Sequence, residues 1–268
     1  MLLTSVVIII REVLEAALLI SILLSMCRQL RISQAWFKWG VLAGLLGSVL
    51  YGSQMGAISQ MWDGVGQELS DASIQALIYL CLLYSCRKLL FYLHNPHPAG
   101  SGLLSVMGAA IALAVIREGS EIYIYLSAFQ QSSESRMGLY SGSAIGLGIG
   151  FSFCALFYYW LLSFSPRRAV LLGCGLLSLV AGGMVLQGCK MLTQADWLPD
   201  GQAWDTSNLL PEDGLPGQLL YAMMGYEASP SPAQVAIYAA AILLMLASLL
   251  LSYRQGAKRL SSETSAAE

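Results

Sequence analysis

The chain has 268 residues, 56% hydrophobic and 11% charged, with a net charge of −2. Soluble domains carry roughly 25% charged residues, so this composition excludes an ordinary soluble domain and places the chain in a lipid bilayer. With 14 Lys and Arg against 16 Asp and Glu, it offers no basic surface on which a nucleic acid would bind.

Six cysteines, Cys27, Cys81, Cys86, Cys154, Cys174 and Cys189, lie mostly inside apolar runs. They read as small packing residues and not as a disulfide framework. The two histidines, His94 and His97, stand in a Pro-rich connector, which leaves no axial haem ligand inside a helix. No tightly bound cofactor is expected, and nothing marks the chain as an enzyme.

A spanning helix needs about 20 apolar residues. Seven segments qualify, at about 2–27, 36–60, 71–93, 103–129, 137–163, 168–194 and 232–253. The first could pass for a signal peptide, but residues 1–10 carry no Lys or Arg and the apolar run continues to about residue 27, so it reads as a retained helix. Met26 occupies the position where a lipid-attachment site before Cys27 wants a small residue. The expected architecture is therefore all-α, with seven transmembrane helices and the termini on opposite sides.

Lys and Arg near span ends set the direction. One set of connectors holds Arg28, Arg31, Lys38, Arg87, Lys88, Arg167, Arg168, Arg254, Lys258 and Arg259, and the alternate set holds Arg136 and Lys190. The predicted topology is N-terminus out and C-terminus in, in the cell inner (plasma) membrane. The outer connectors carry carboxylates instead, among them Asp63, Glu68, Asp71, Glu134, Asp196, Asp200, Asp205, Glu212, Asp213 and Glu227. They read first as a solvated surface and second as a field that concentrates cations, with Asp63, Glu68, Asp71 and Glu227 the candidate ion-gathering residues. The loop 195–231 is too polar to span. It offers Trp197 and Trp204 to the headgroup level and a run, Gln218 to Tyr226, suited to a short interfacial helix.

Sliding the chain by 106 residues superposes Arg11 on Arg117, Glu12 on Glu118, Glu15 on Glu121, Gly40 on Gly146 and Gly44 on Gly150. Segments of about 2–93 and 103–194 thus form two three-helix repeats, followed by the loop, helix seven at 232–253 and a cytoplasmic tail at 254–268, in a single transmembrane domain. Three spans per repeat require the second to be inverted, an architecture whose sites lie near the midplane. The glycine series Gly40-x3-Gly44, Gly52-x3-Gly56 and Gly142-x3-Gly146-x3-Gly150 reads as close helix packing that brings the first and fourth helices together.

Arg11, Glu12 and Glu15, and Arg117, Glu118 and Glu121, sit inside apolar helices where each charge costs about 2.5–3.5 kcal/mol on the insertion scale. At about 100° per residue each trio falls on one face, with its two carboxylates one turn apart. Each Arg stands at i,i+4 from a Glu and can tune its charge. A buried ion pair that fixes packing would need no more than that. Two Arg and four Glu leave two surplus negative charges, which a bound cation relieves, and oxygen donors without His or Cys suit a hard ion. Methionines at 55, 61, 184, 191, 223 and 224, and Tyr123 and Tyr125 beside the second motif, read as packing residues.

The motifs Arg11-Glu12-Val13-Leu14-Glu15 and Arg117-Glu118-Gly119-Ser120-Glu121, with Ala128-Phe129-Gln130-Gln131 and Gly225-Tyr226-Glu227-Ala228-Ser229-Pro230-Ser231, resemble those of the high-affinity ferric iron permeases, also called oxidase-dependent iron transporters. The resemblance covers nearly the whole chain. Val13 and Ser120 depart from the family's usual Arg-Glu-Gly-Leu-Glu, away from the charged positions. It implies ferric iron as the imported substrate, Glu12, Glu15, Glu118 and Glu121 as metal ligands, an extracytoplasmic oxidase or peroxidase, and an iron-delivery protein. A homo-oligomer is compatible with the chain. Two other functions account for parts of the sequence: a membrane anchor for an extracytoplasmic redox partner, docked through the 195–231 loop, and a proton-coupled transporter of another ion such as lead or manganese.

Overall fold

A computed structural model describes residues 2–94, 100–128, 136–212 and 214–267. His97, Glu134, Asp213 and the Phe129-Gln130-Gln131 stretch lie outside the described residues, as do the side chains of His94, Lys258 and Arg259. Among the described residues the chain is all-helical: α1 (Leu2–Gln29), α2 (Ala35–Ser59), α3 (Gly66–His94), α4 (Ser101–Ala128), α5 (Arg136–Leu162), α6 (Pro166–Gln194), α7 (Leu215–Met224) and α8 (Pro232–Ala267). A 3₁₀ turn, Trp62–Gly64, links α2 to α3. Helix boundaries follow the apolar runs closely, because backbone polar groups in hydrocarbon must bond within their own helix until the chain reaches water.

Six helices, α2 to α6 and α8, are long and apolar enough to cross a membrane. Helix α1 matches them in length at 28 residues but carries Arg11, Glu12 and Glu15 within its apolar run. Helix α8 runs on beyond the apolar stretch through the polar tail to Ala267. The short helix α7 lies within the long polar loop, as its composition suggested, two to three residues earlier than the sequence indicates.

The packing pairs helices across the two halves. Gly142 on α5 meets the Leu2 carbonyl of α1, and Gly146 and Gly150 meet Ile9 and Val13, so α1 and α5 run parallel. Helices α2 and α4 are also parallel, with Gly40 against the Gly108 backbone and Gly52 against Tyr123. A Cβ at Gly40 would lie 2.8 Å from the Gly108 carbonyl oxygen, and one at Gly142 would lie 2.6 Å from that of Leu2. Small residues at these crossings let the backbones touch, which is where van der Waals attraction between membrane helices is greatest. The glycines therefore join α2 to α4 and α5 to α1, rather than α1 to α4 as the sequence suggests.

Helices α3 and α6 run antiparallel at the centre. Gln75 bonds Gln187, and the Cys174 thiol lies 3.9 Å from the Cys86 carbonyl. Helix α8 packs beside them, where the Tyr79 hydroxyl donates to the Ala241 carbonyl at 2.9 Å. Helices α1 and α4 cross antiparallel, with Ser5 bonded to Tyr125 at one end and Cys27 near Met107 at the other. Between these four central helices lies one apolar core that includes Leu19, Ile22, Met26, Ile78, Leu82, Met107, Ile111, Leu177 and Met184.

Candidate metal site

The motif residues of α1 and α4 face each other where those helices cross. Glu12, Glu15 and Glu118 are each 2% exposed. One carboxylate oxygen from each lies within 4.8 Å of the other two. Oxygens Oε2 of Glu12, Oε1 of Glu15 and Oε1 of Glu118 are buried and have no hydrogen-bonding partner among the described residues. Oε2 of Glu12 lies 4.0 Å from Arg117 and Oε1 of Glu15 lies 3.9 Å from Arg11, so the buried carboxylates are charge-compensated only at a distance, and they converge from two helices as a set of hard oxygen donors that could hold a cation.

The two arginines are not equivalent. Arg117 is 1% exposed. It bonds Glu118 at 2.6 Å and Glu121 at 2.8 Å, and reaches to 4.0 Å from Glu12. Arg11 stands 3.5 Å from Glu12 and 3.9 Å from Glu15, with its side chain 36% exposed and its guanidinium 4.8 Å above the Tyr221 ring. Arg117 thus binds the cluster from within, and Arg11 closes it from the side of α7. Tyr221 can sit there because α7 ends on Gly225 in the left-handed conformation (φ 69°), pressed against Gly183 of α6 where a Cβ would lie 2.5 Å from the backbone.

Glu121 does not join the other three. Its side chain, 34% exposed, turns with its Arg117 partner into a cavity of about 500 Å3. Glu12, Arg11, Glu68, Asp71, Tyr125, Met191 and Gln194 line the same cavity. Two of the four acids read from the sequence as ion-gathering, Glu68 and Asp71, therefore border the cavity beside the cluster, and Asp71 accepts a hydrogen bond from Tyr51 at 2.9 Å. Asp63 is exposed on the 3₁₀ turn. Glu227 pairs with Lys190 at 3.0 Å and borders a separate cavity with Asp200. Of the residues read as packing, Met191 and Tyr125 border the approach, and Tyr123 packs over Gly52. Below the carboxylates, the apolar core of α1, α3, α4 and α6 seals the opposite end.

Two buried residues complete the cluster that the motifs alone do not indicate. Gln187 of α6 donates to Oε2 of Glu15 at 2.9 Å, and Gln75 of α3 donates to the Gln187 carbonyl at 2.8 Å. Their signal in the sequence is faint: each is an uncharged amide away from the ends of a long apolar helix.

Six apolar helices around a buried carboxylate cluster, reached by an acid-lined cavity, define a multi-pass membrane protein with a site suited to a metal ion. The sequence model of the Iron permease FTR1 family matches residues 93–262, well over half of the chain. The protein belongs to this family of iron permeases, which are transporters. No curated protein and no solved structure matches the chain.

Proposed function

We propose that the protein imports ferric iron across the inner (plasma) membrane, with Glu12, Glu15 and Glu118 as the central ligands and Glu121 as the ligand nearest the approach cavity. The observation that carries this reading is the convergence of the buried Glu12, Glu15 and Glu118 carboxylates, one oxygen of each within 4.8 Å of the other two. Among the described residues the group holds only glutamates, and such hard oxygen donors favour ferric iron over softer metals.

In this reading α1 is a seventh span, with the N-terminus outside and the C-terminus inside. The cavity bordered by Glu68, Asp71 and Glu121 then opens outward, and the apolar core closes the inner side. The exchanged parallel pairs, α1 with α5 and α2 with α4, support two inverted three-helix repeats related by an axis near the α3 and α6 crossing. Import would follow from rocking one repeat against the other. Arg11 and Arg117 offset part of the negative charge of the carboxylates without filling the site. Iron would arrive through an extracytoplasmic oxidase or peroxidase and a delivery protein, for which the 195–231 loop supplies a polar docking surface.

Replacing Glu12 or Glu118 by Ala tests this directly. Iron uptake into proteoliposomes should fall to background in both variants while the protein remains in the membrane. Undiminished uptake in both would exclude the cluster as the translocation site.

A further inference from the structure

Gln75 and Gln187 are 0% and 3% exposed and belong to neither motif. A glutamine pair that served only to join two helices would bond reciprocally, each amide donating to the other and leaving both carbonyls satisfied. This pair does not. The Gln187 amino group is turned away from Gln75 to donate to Oε2 of Glu15 at 2.9 Å. Its carbonyl then accepts from Gln75 at 2.8 Å, and Oε1 of Gln75 is left buried with no partner. Because a carboxylate is a pure acceptor, the chain of donors has one polarity, and it begins at Glu15. The unpaired oxygen at the far end is a cost that reciprocal pairing would avoid.

Space for this arrangement is made locally. Gly188 lets α6 approach α3 closely, and a Cβ there would lie 3.2 Å from Oε1 of Gln75. The hydrogen bond occupies one oxygen of Glu15 and leaves the other, Oε1, without a hydrogen bond and 3.9 Å from Arg11, in a carboxylate that converges with those of Glu12 and Glu118.

We propose that Gln187 is a positioning residue that aims Glu15 at the metal, and that Gln75 orients Gln187 by holding its carbonyl. This inference rests on the three-glutamate site proposed above. It also links occupancy of the site to the α3 and α6 crossing, since the aim of Glu15 depends on two amides that straddle it. Groups of this kind set ligand geometry and affinity without touching the ion.

The test is a double-mutant cycle of Gln187→Met, Gln75→Met and the double variant, which keep side-chain length while removing the amides. Equilibrium binding of radioactive iron, supplied as ferric citrate, is measured on the full-length protein in detergent alongside its thermal unfolding. Gln187→Met is expected to weaken binding about tenfold. Gln75→Met should weaken it less, in the same direction, and the double variant should bind no more weakly than Gln187→Met alone, because one pathway is broken in each case. Unchanged affinity in Gln187→Met, or losses that multiply in the double variant, would overturn the proposal. If Gln187→Met does not fold, Gln187→Asn, one methylene too short to reach Glu15, should show the same loss, and wild-type affinity in that variant would overturn the proposal equally. Glu15→Gln separates the two levels. Wild-type binding in Glu15→Gln refutes the glutamate site itself, whereas loss there with normal binding in Gln187→Met refutes only the positioning role.

Discussion

Arg117 of α4 lies 4.0 Å from Glu12 of α1, so the charged motifs of the two helices share one guanidinium. That guanidinium also bonds Glu118 and Glu121 and is almost wholly buried. Removing it leaves several carboxylates, most of them buried, uncompensated. Arg117→Met should destabilise the protein by about 3–5 kcal/mol, as when one partner of a buried ion pair is lost. Arg11→Met should cost less than about 1 kcal/mol, since its side chain is one-third exposed and its ion pairs are longer. Thermal unfolding in detergent would distinguish them, and equal losses would contradict the inequivalence of the two arginines.

Tyr221 provides a separate handle on Arg11. The ring lies 4.8 Å below the guanidinium, a contact that survives loss of the hydroxyl. Tyr221→Phe should therefore bind and transport iron like the wild type. Tyr221→Ala should lower apparent affinity several-fold, corresponding to about 1 kcal/mol for a partly buried cation–π contact. Equal behaviour of the two variants in an uptake titration would show that the ring has no part in holding Arg11.

The acids proposed to gather ions divide by position. Asp71 and Glu68 border the approach cavity, while Asp63 stands exposed on the preceding turn. Asp71→Asn and Glu68→Gln should reduce uptake at limiting iron and recover at saturating iron, because they raise local cation concentration and do not hold the ion in the cluster. Asp63→Asn should leave both regimes unchanged. Uptake measured across a range of iron concentrations checks all three.

The glycine crossings predict opposite outcomes for two positions on the same helix. A methyl group at Gly142 meets the Leu2 carbonyl at 2.6 Å, whereas one at Gly148 meets nothing within 4 Å. Gly142→Ala should cost about 1–3 kcal/mol through forced separation of α1 and α5. Gly148→Ala should be neutral or stabilising by up to about 1 kcal/mol from helix propensity. Thermal unfolding again decides.

The helices were legible because every apolar run had to bury its own backbone bonds, and the charges at Arg11, Glu12, Glu15, Arg117, Glu118 and Glu121 stood out against lipid-compatible neighbours. The division of labour among them was not legible. Spacing places Glu118 and Glu121 on one face, but only the reach of Arg117 turns Glu121 into the cavity and leaves Glu118 in the cluster. Gln75 and Gln187 are 112 residues apart and uncharged, and their meeting depends on the antiparallel crossing of α3 and α6. The 106-residue repeat was visible in the glycines, yet which helices those glycines would join followed from packing across the repeats and not within one helix face.

Iron bound to the purified wild-type protein and to its Glu118→Gln variant, followed by iron-edge X-ray absorption, tests the central claim most directly. Carboxylate coordination predicts oxygen-only neighbours near the iron in the wild type, and loss of stoichiometric binding in the variant. Sulfur or nitrogen neighbours in the wild type, or undiminished oxygen-only binding in Glu118→Gln, would contradict it.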